Sequence, residues 1–232
     1  MILYVNGDSH SAGAEAVNNH CFAEDDPKLW AFGRAPHPDN LKVSWGQKLA
    51  DRICATLHCD AESASSNQRI MRTLDNYLEH RTPDLVIIGW STWEREEWFH
   101  DGKWYQVNAG GLGHDWPDDI KERYKKWIID LNYKVHLNKA HRAIHNLHLR
   151  LTSLGINHYF FTCYEPFANV AELNWNKCYL DPYNPDMTYF NWCKSHGFKT
   201  VRPDSYHFGA DAHGAWAEFL YTKLVESCLT KK

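Results

Sequence analysis

The chain has 232 residues, a formal net charge of −4 with His neutral, 44% hydrophobic residues and 23% charged residues, the profile of a globular protein long enough to bury a sizeable core. The mild acidity excludes the electrostatic footprint of a nucleic-acid binder or of a protein held on anionic membranes, and no apolar stretch approaches the roughly 20 residues that span a bilayer. Seven scattered cysteines without a CxxC pair read as reduced thiols, and no leader-like apolar segment follows Met1, so the sequence predicts a cytoplasmic protein.

In chain order, the first predicted element is a strand over residues 2–6, an apolar run that ends at once in Gly7-Asp8-Ser9-His10. A long loop, 10–44, leads to a helix over 45–53 and a weaker strand over 55–60. The segment ESASSNQRIMR (62–72) opens a helix over 67–78, and DLVIIGW (84–90) is the clearest buried strand, with Trp90 in the core. A second long loop, 93–116, contains HDGK flanked by aromatics, a hairpin signal. Apolar positions recurring at helical spacing predict one continuous helix over 117–154, ended by Gly155. His141, His145 and His148 flank that stripe and read as a solvated helix edge. HYFFT (158–162) is a further strand. A third long loop, 164–188, a short fifth strand over 199–201 and a final helix over 210–228 complete the chain.

The strands are continuous apolar runs rather than alternating ones, which suits a parallel sheet covered on both faces, and strands alternating with helices imply βαβ crossovers. Ligands of such sheets bind beyond the carboxyl ends of the strands. Ser9, Ser91 and Cys163 all follow strands, so the functional edge is the one that carries GDSH. A serine hydroxyl becomes a nucleophile only beside a base, which a third group orients. The segment RPDSYHFGADAHG (202–214) supplies Asp204 and His207, with His213, beside Asp211, as a competing base. Asp8 reads as a brace of the turn, and the charge run 94–97 as a solvated loop.

A GDS directly after the first strand, joined to a DxxH just before the last helix, resembles the SGNH (GDSL-type) hydrolase superfamily, through four short blocks spread over the whole chain. The resemblance implies an α/β fold, a three-layer α/β/α sandwich with a flavodoxin-like, mainly parallel sheet, and one domain over 1–232 with long loops at 10–44, 93–116 and 164–188. It implies Ser9 as nucleophile, His207 as base and Asp204 as the acid that holds His207. In the second block Ala64 stands where the family has a glycine whose N–H helps bind the oxyanion. In the third, Gly89-Trp90-Ser91 places Ser91 where an Asn side chain is expected, so the oxyanion donors would be Ser9, Ala64 and Ser91, with Thr92, Asn67 or Arg95 as substitutes.

The implied activity is a serine esterase needing no metal or organic cofactor. Its expected partner is a small-molecule or glycan ester, such as an O-acetylated carbohydrate, bound by Trp93, Arg95, Trp98 and Trp104, with no role for nucleic acid or membrane. The alternatives are a catalytically impaired protein that binds glycan or another partner, and an O-acyltransferase. The GWSTWER variant also resembles SGNH-like proteins of tailed phages, which makes a virus-encoded source a further expectation.

Overall fold

The computed structural model describes residues 1–23, 31–108 and 116–227. Its elements are β1 (Ile2–Gly7), α1 (Ser9–Ala12), α2 (Pro38–Val43), α3 (Trp45–Arg52), β2 (Thr56–Cys59), α4 (Asn67–Leu78), β3 (Leu85–Trp90), β4 (Glu96–His100), β5 (Lys103–Val107), α5 (Asp118–Asp130), α6 (Tyr133–Ser153), β6 (Asn157–Thr162), α7 (Tyr189–Ser195) and α8 (Ala210–Ser227). The central sheet is parallel, in the order β2-β1-β3-β6.

Side chains alternate across each strand, and both faces are covered. Leu3, Val5, Leu85, Ile87, Tyr159 and Phe161 pack on one side with Trp45 and Leu49 of α3 and Trp216 and Leu220 of α8. Tyr4, Val86, Ile88, Trp90 and Phe160 pack on the other with Ile70 and Leu74 of α4 and Ile144, Leu147 and Leu151 of α6. Two buried faces on every central strand explain the unbroken apolar runs, and the protein is a three-layer α/β/α sandwich with a flavodoxin-like sheet. The strand order turns at the β1/β3 boundary, where Gly7 lies opposite Gly89. The loops after these strands therefore flank the crevice in which open α/β sheets bind ligands.

Three expectations are corrected. The single helix over 117–154 is two: Leu131 turns extended, and Asn132 caps α6 by accepting the Val135 N–H. The apolar spacing runs through this break because both helices bury a stripe, and a stripe does not record a change of axis. Residues 199–201 add no strand to the sheet among the described residues; Thr200 instead bridges Phe208. The outer edge of β6 is met by the loop at Tyr179, with Phe160 N–H donating to the Cys178 carbonyl and Leu180 N–H to the Phe160 carbonyl. Lastly, His141 and His148 are buried against that loop and the sheet rather than solvated.

The expected hairpin is present. β4 pairs antiparallel with β5, closed by Asp101 and Gly102, both at positive φ as a type I′ turn requires. Its Glu97 meets Arg72 of α4 at 2.6 Å, and Glu96 accepts from Gln68 at 3.1 Å. Glu96 and Glu97 of the 94–97 run are thus engaged with α4 rather than solvated. Trp98 and Val107 form a third apolar cluster with Ile120 and Tyr124 of α5, which brings α5 over the strand ends. No helix of the described residues is long and apolar enough to cross a membrane.

The turn of the sheet at the crevice tolerates no side chain on β3. A Cβ on Gly89 would lie 2.6 Å from Ser11 Oγ and 2.8 Å from Cys163 Sγ. Gly89→Ala is expected to destabilise the fold by about 1–3 kcal/mol through overpacking, read as a lower urea midpoint with an unchanged m-value.

Candidate functional site

Ser9 follows β1 directly and is the first residue of α1. Asp8 caps that turn: its Oδ1 accepts the His10 N–H at 3.0 Å, and its backbone carbonyl accepts the N–H groups of Ser11 and Ala12. The Ser9 N–H is the donor of this first turn that has no acceptor among the described residues. The other oxygen of Asp8 accepts from the Ser91 hydroxyl at 3.1 Å and from Arg95 Nη1 at 3.3 Å. Burial pushes the Asp8 carboxyl up, but His10, Arg95, the His10 N–H and the Ser91 hydroxyl together outweigh it and hold the group below the usual range. His10 is driven down to about 4 by its own burial, partly countered by Asp8, and is neutral at pH 7.

His207 reaches the same place from the segment before α8. Its Nδ1 lies 2.8 Å from Glu15 Oε2, so the carboxylate that holds this ring is Glu15 and not Asp204. Glu15 sits just past α1 with φ 63°, a left-handed conformation that turns its side chain back toward the crevice. It also accepts from the Ser205 hydroxyl at 2.6 Å and from the Arg202 guanidinium, while Ser205 Oγ accepts the His207 N–H at 3.0 Å. The hydrogen bond from His207, helped by those from Ser205 and Arg202, lowers the Glu15 carboxyl to about 2 against its burial.

Asp204 is 83% exposed and pairs loosely with Arg202 at 3.6 Å. The turn closed by Ser205 N–H on the Arg202 carbonyl sends Ser205 and Arg202 inward and Asp204 out. His213 is equally removed from the crevice: it is buried in α8, accepts the Trp45 N–H at 3.2 Å and is held down to about 3 by burial.

Ser9, His10, Ala64, Thr92, Arg95 and His207 form the floor of a cleft of about 680 Å³. No direct hydrogen bond joins Ser9 to His207 among the described residues; they share the cleft, with the Nδ1 of His207 committed to Glu15 and its Nε2 left for whatever enters. Ala64 adopts φ 65°, a left-handed conformation that favours glycine, and its N–H has no acceptor among the described residues.

The third block departs from expectation. Ser91 is buried, and its hydroxyl is taken by Asp8 and Arg95. Asn67 is also committed: its amide donates to the Ser91 and Thr92 carbonyls, and its oxygen accepts the Ser91 N–H. Thr92 is different: the residue lines the cleft, and its buried hydroxyl has no hydrogen-bond partner among the described residues.

The expected aromatic contacts lie elsewhere. Trp93 stacks on Phe167 in the core, Trp98 packs against Trp127 with Arg123 over its face, and Trp104 carries Arg72. None of the three lines the cleft. Its walls come instead from Tyr124, Trp127 and Ile128 of α5, and from Tyr164, Tyr206 and Glu94. Tyr206 stood between Asp204 and His207 in the sequence, and Trp127 lay within the apolar stripe, where nothing separated it from core residues. Glu15 had no local signal: it belongs to no motif, and only the left-handed turn brings it to His207.

This geometry predicts that Glu15→Gln destabilises the fold by about 1–3 kcal/mol through loss of its charged hydrogen bonds, while Asp204→Asn stays within about 0.5 kcal/mol, the small effect usual for surface substitutions. Because the Glu15 pKa is depressed on folding, its contribution to stability is fully present above its unfolded value of 4.5 and is lost as the pH falls through about 2. The difference in unfolding free energy between wild type and Glu15→Gln, measured by denaturant titration across this window, should shrink accordingly. Ala64→Gly should raise stability by about 1 kcal/mol by relieving the left-handed Ala and leave turnover intact.

No family model matches this chain, and no curated relative does. Among solved structures, the chain is similar to a protein described as lipolytic and of the G-D-S-L family from Desulfitobacterium hafniense DCB-2, with 12% identity, a TM-score of 0.44, and coverage of 96% of this chain and 99% of that one. It is similar to the psychrotrophic esterase EstA from Pseudoalteromonas sp., with 14% identity, a TM-score of 0.49 and 97% of each chain covered. It is also similar to an acetyl xylan esterase from the rumen bacterium Butyrivibrio proteoclasticus, with 12% identity, a TM-score of 0.41, and coverage of 97% of this chain and 63% of that one.

Proposed function

We propose that this protein is a serine hydrolase of the SGNH type that cleaves a short acyl ester from a polar, carbohydrate-like alcohol. The observation that carries the reading is the Glu15–His207 pair, in which Glu15 holds a histidine that lines the same cleft as Ser9. Glu15 fixes the tautomer of His207 by accepting from Nδ1–H, which leaves the Nε2 lone pair to take the Ser9 proton as Oγ attacks the ester carbonyl. The carbonyl oxygen becomes an oxyanion, which the N–H groups of Ser9 and Ala64 and the hydroxyl of Thr92 stabilise. The protonated His207 then gives its proton to the leaving alcohol. Water, deprotonated by the same nitrogen, hydrolyses the acyl-enzyme and restores Ser9.

In this reading Thr92 takes over the donor role that Ser91 lost to Asp8, and Arg95 adds positive charge beside the oxyanion. The substrate class follows from the walls. Trp127, Tyr164 and Tyr206 offer flat apolar faces with polar edges and Glu94 offers a carboxylate, a combination suited to a sugar ring and its hydroxyls. The engaged Ser91 hydroxyl also favours the second reading, a glycan-binding protein with impaired catalysis, and the same experiment decides between them.

A fluorophosphonate probe is expected to label Ser9, and p-nitrophenyl acetate hydrolysis is expected to vanish in Ser9→Ala. Thr92→Val should lower turnover by about 10²–10³-fold with Thr92→Ser close to wild type. An unlabelled Ser9 and a turnover unaffected by Ser9→Ala would overturn the enzyme reading in favour of binding alone.

A further inference from the structure

Away from the cleft, the structure assigns a second site: His148, His158 and Cys178 form a three-ligand site for a borderline-soft divalent metal, zinc by the character of its donors. One ligand atom from each residue lies within 4.8 Å of the other two. Zinc bound to two imidazole nitrogens and a thiolate holds its ligand atoms about 3.5 Å apart, so a contraction of about 1 Å completes the site. Two nitrogens and one sulfur are the donor set that zinc selects over calcium or magnesium, and three protein ligands leave a fourth position for water.

One hydrogen bond must give way for both histidines to ligate. His158 Nδ1 is 2.9 Å from the Ile156 carbonyl, to which it must donate, so His158 Nε2 carries a lone pair. His148 Nδ1, 2.8 Å from that Nε2, must therefore donate to it, which leaves a lone pair on His148 Nε2. That nitrogen is fully buried and has no hydrogen-bond partner, an arrangement that costs stability unless something satisfies it. A backbone carbonyl holding the far nitrogen of a histidine is also the outer support that ligating histidines use. The metal replaces the His148–His158 hydrogen bond: the His148 ring shifts its proton off His158 Nε2, and that freed lone pair then binds the metal. Binding then releases one proton, from the Cys178 thiol to solvent, as the Sγ–metal bond forms.

Each ligand comes from a different element: His148 from α6, His158 from the start of β6, and Cys178 from the 164–188 loop, where its Sγ lies 3.6 Å from the Asn176 carbonyl. Trp175 packs 5.8 Å from the His148 ring and shields the site, while the half-buried Cys178 leaves one side open. A metal here pins the loop to the edge of the sheet, at the end of β6 opposite the cleft.

The test uses the full chain, stripped with a chelator and titrated with Co²⁺ and then Zn²⁺. One Co²⁺ per chain should bind with a near-ultraviolet thiolate-to-cobalt band that Zn²⁺ abolishes. Cys178→Ser should lose the band and bind zinc at least about tenfold more weakly, the lower end of what losing even an outer support of a ligand costs. Cys54→Ser, which removes an exposed thiol, should change neither. In the wild type, Zn²⁺ should slow alkylation of Cys178 and not of Cys54, a readout that needs no variant to fold. Absence of saturable binding at one per chain, a band that survives Cys178→Ser, or alkylation of Cys178 that zinc leaves unchanged would each overturn the proposal.

Discussion

The site depends on one buried carboxylate. Asp8 is almost wholly removed from water, and an unpartnered charge there would cost several kcal/mol. It persists because each oxygen has a donor: the His10 N–H on one, and the Ser91 hydroxyl and Arg95 on the other. In satisfying itself Asp8 joins the end of β1 to the end of β3, fixes the first turn of α1 and leaves the Ser9 N–H as the donor without a partner among the described residues. The same demand draws Ser91 away from the cleft and brings Arg95 to its rim. Asn67 completes the clamp from α4 by holding the backbone carbonyls of Ser91 and Thr92.

Around this anchor the remaining groups are set by a second ionic cluster at Glu15. Its three partners, His207, Ser205 and Arg202, all lie in the segment before α8, and the left-handed turn after α1 carries the carboxylate to them. One carboxylate thus orients the histidine and the other shapes the turn that carries Ser9, each held ionised by its own partners. The cleft walls depend on neither. They rest on the hairpin and α5, packed through Trp98 and Tyr124, and on Tyr164 and Tyr206.

Much of the fold was legible in the residues. The strands after Met1, at 84–90 and at 158–162 announce themselves as continuous apolar runs because both faces of the sheet are buried, and Asp101-Gly102 announces the hairpin because its turn needs two positive φ angles. The break between α5 and α6 was not legible, since an apolar stripe continues through it, and the short run at 199–201 has strand composition without a strand neighbour. In the site, Ser9 and His207 were visible because their neighbours form compact motifs. Trp93, Trp98 and Trp104 were misread as ligand contacts for a simple reason: an aromatic in a long loop looks the same in sequence whether it packs inward or faces a cleft.

The sequence by itself determined the parallel α/β architecture and the place of Ser9 just beyond its first strand, because these follow from local patterns of burial and turn chemistry. Only the tertiary structure decided which carboxylate pairs with His207, which hydroxyl at the end of β3 is engaged by Asp8, and which histidines of α6 are buried beside Cys178. Those choices are made between residues tens to almost two hundred positions apart. What selects among them is the satisfaction of buried charges and lone pairs once the chain has closed around them, a condition that no local stretch of sequence records.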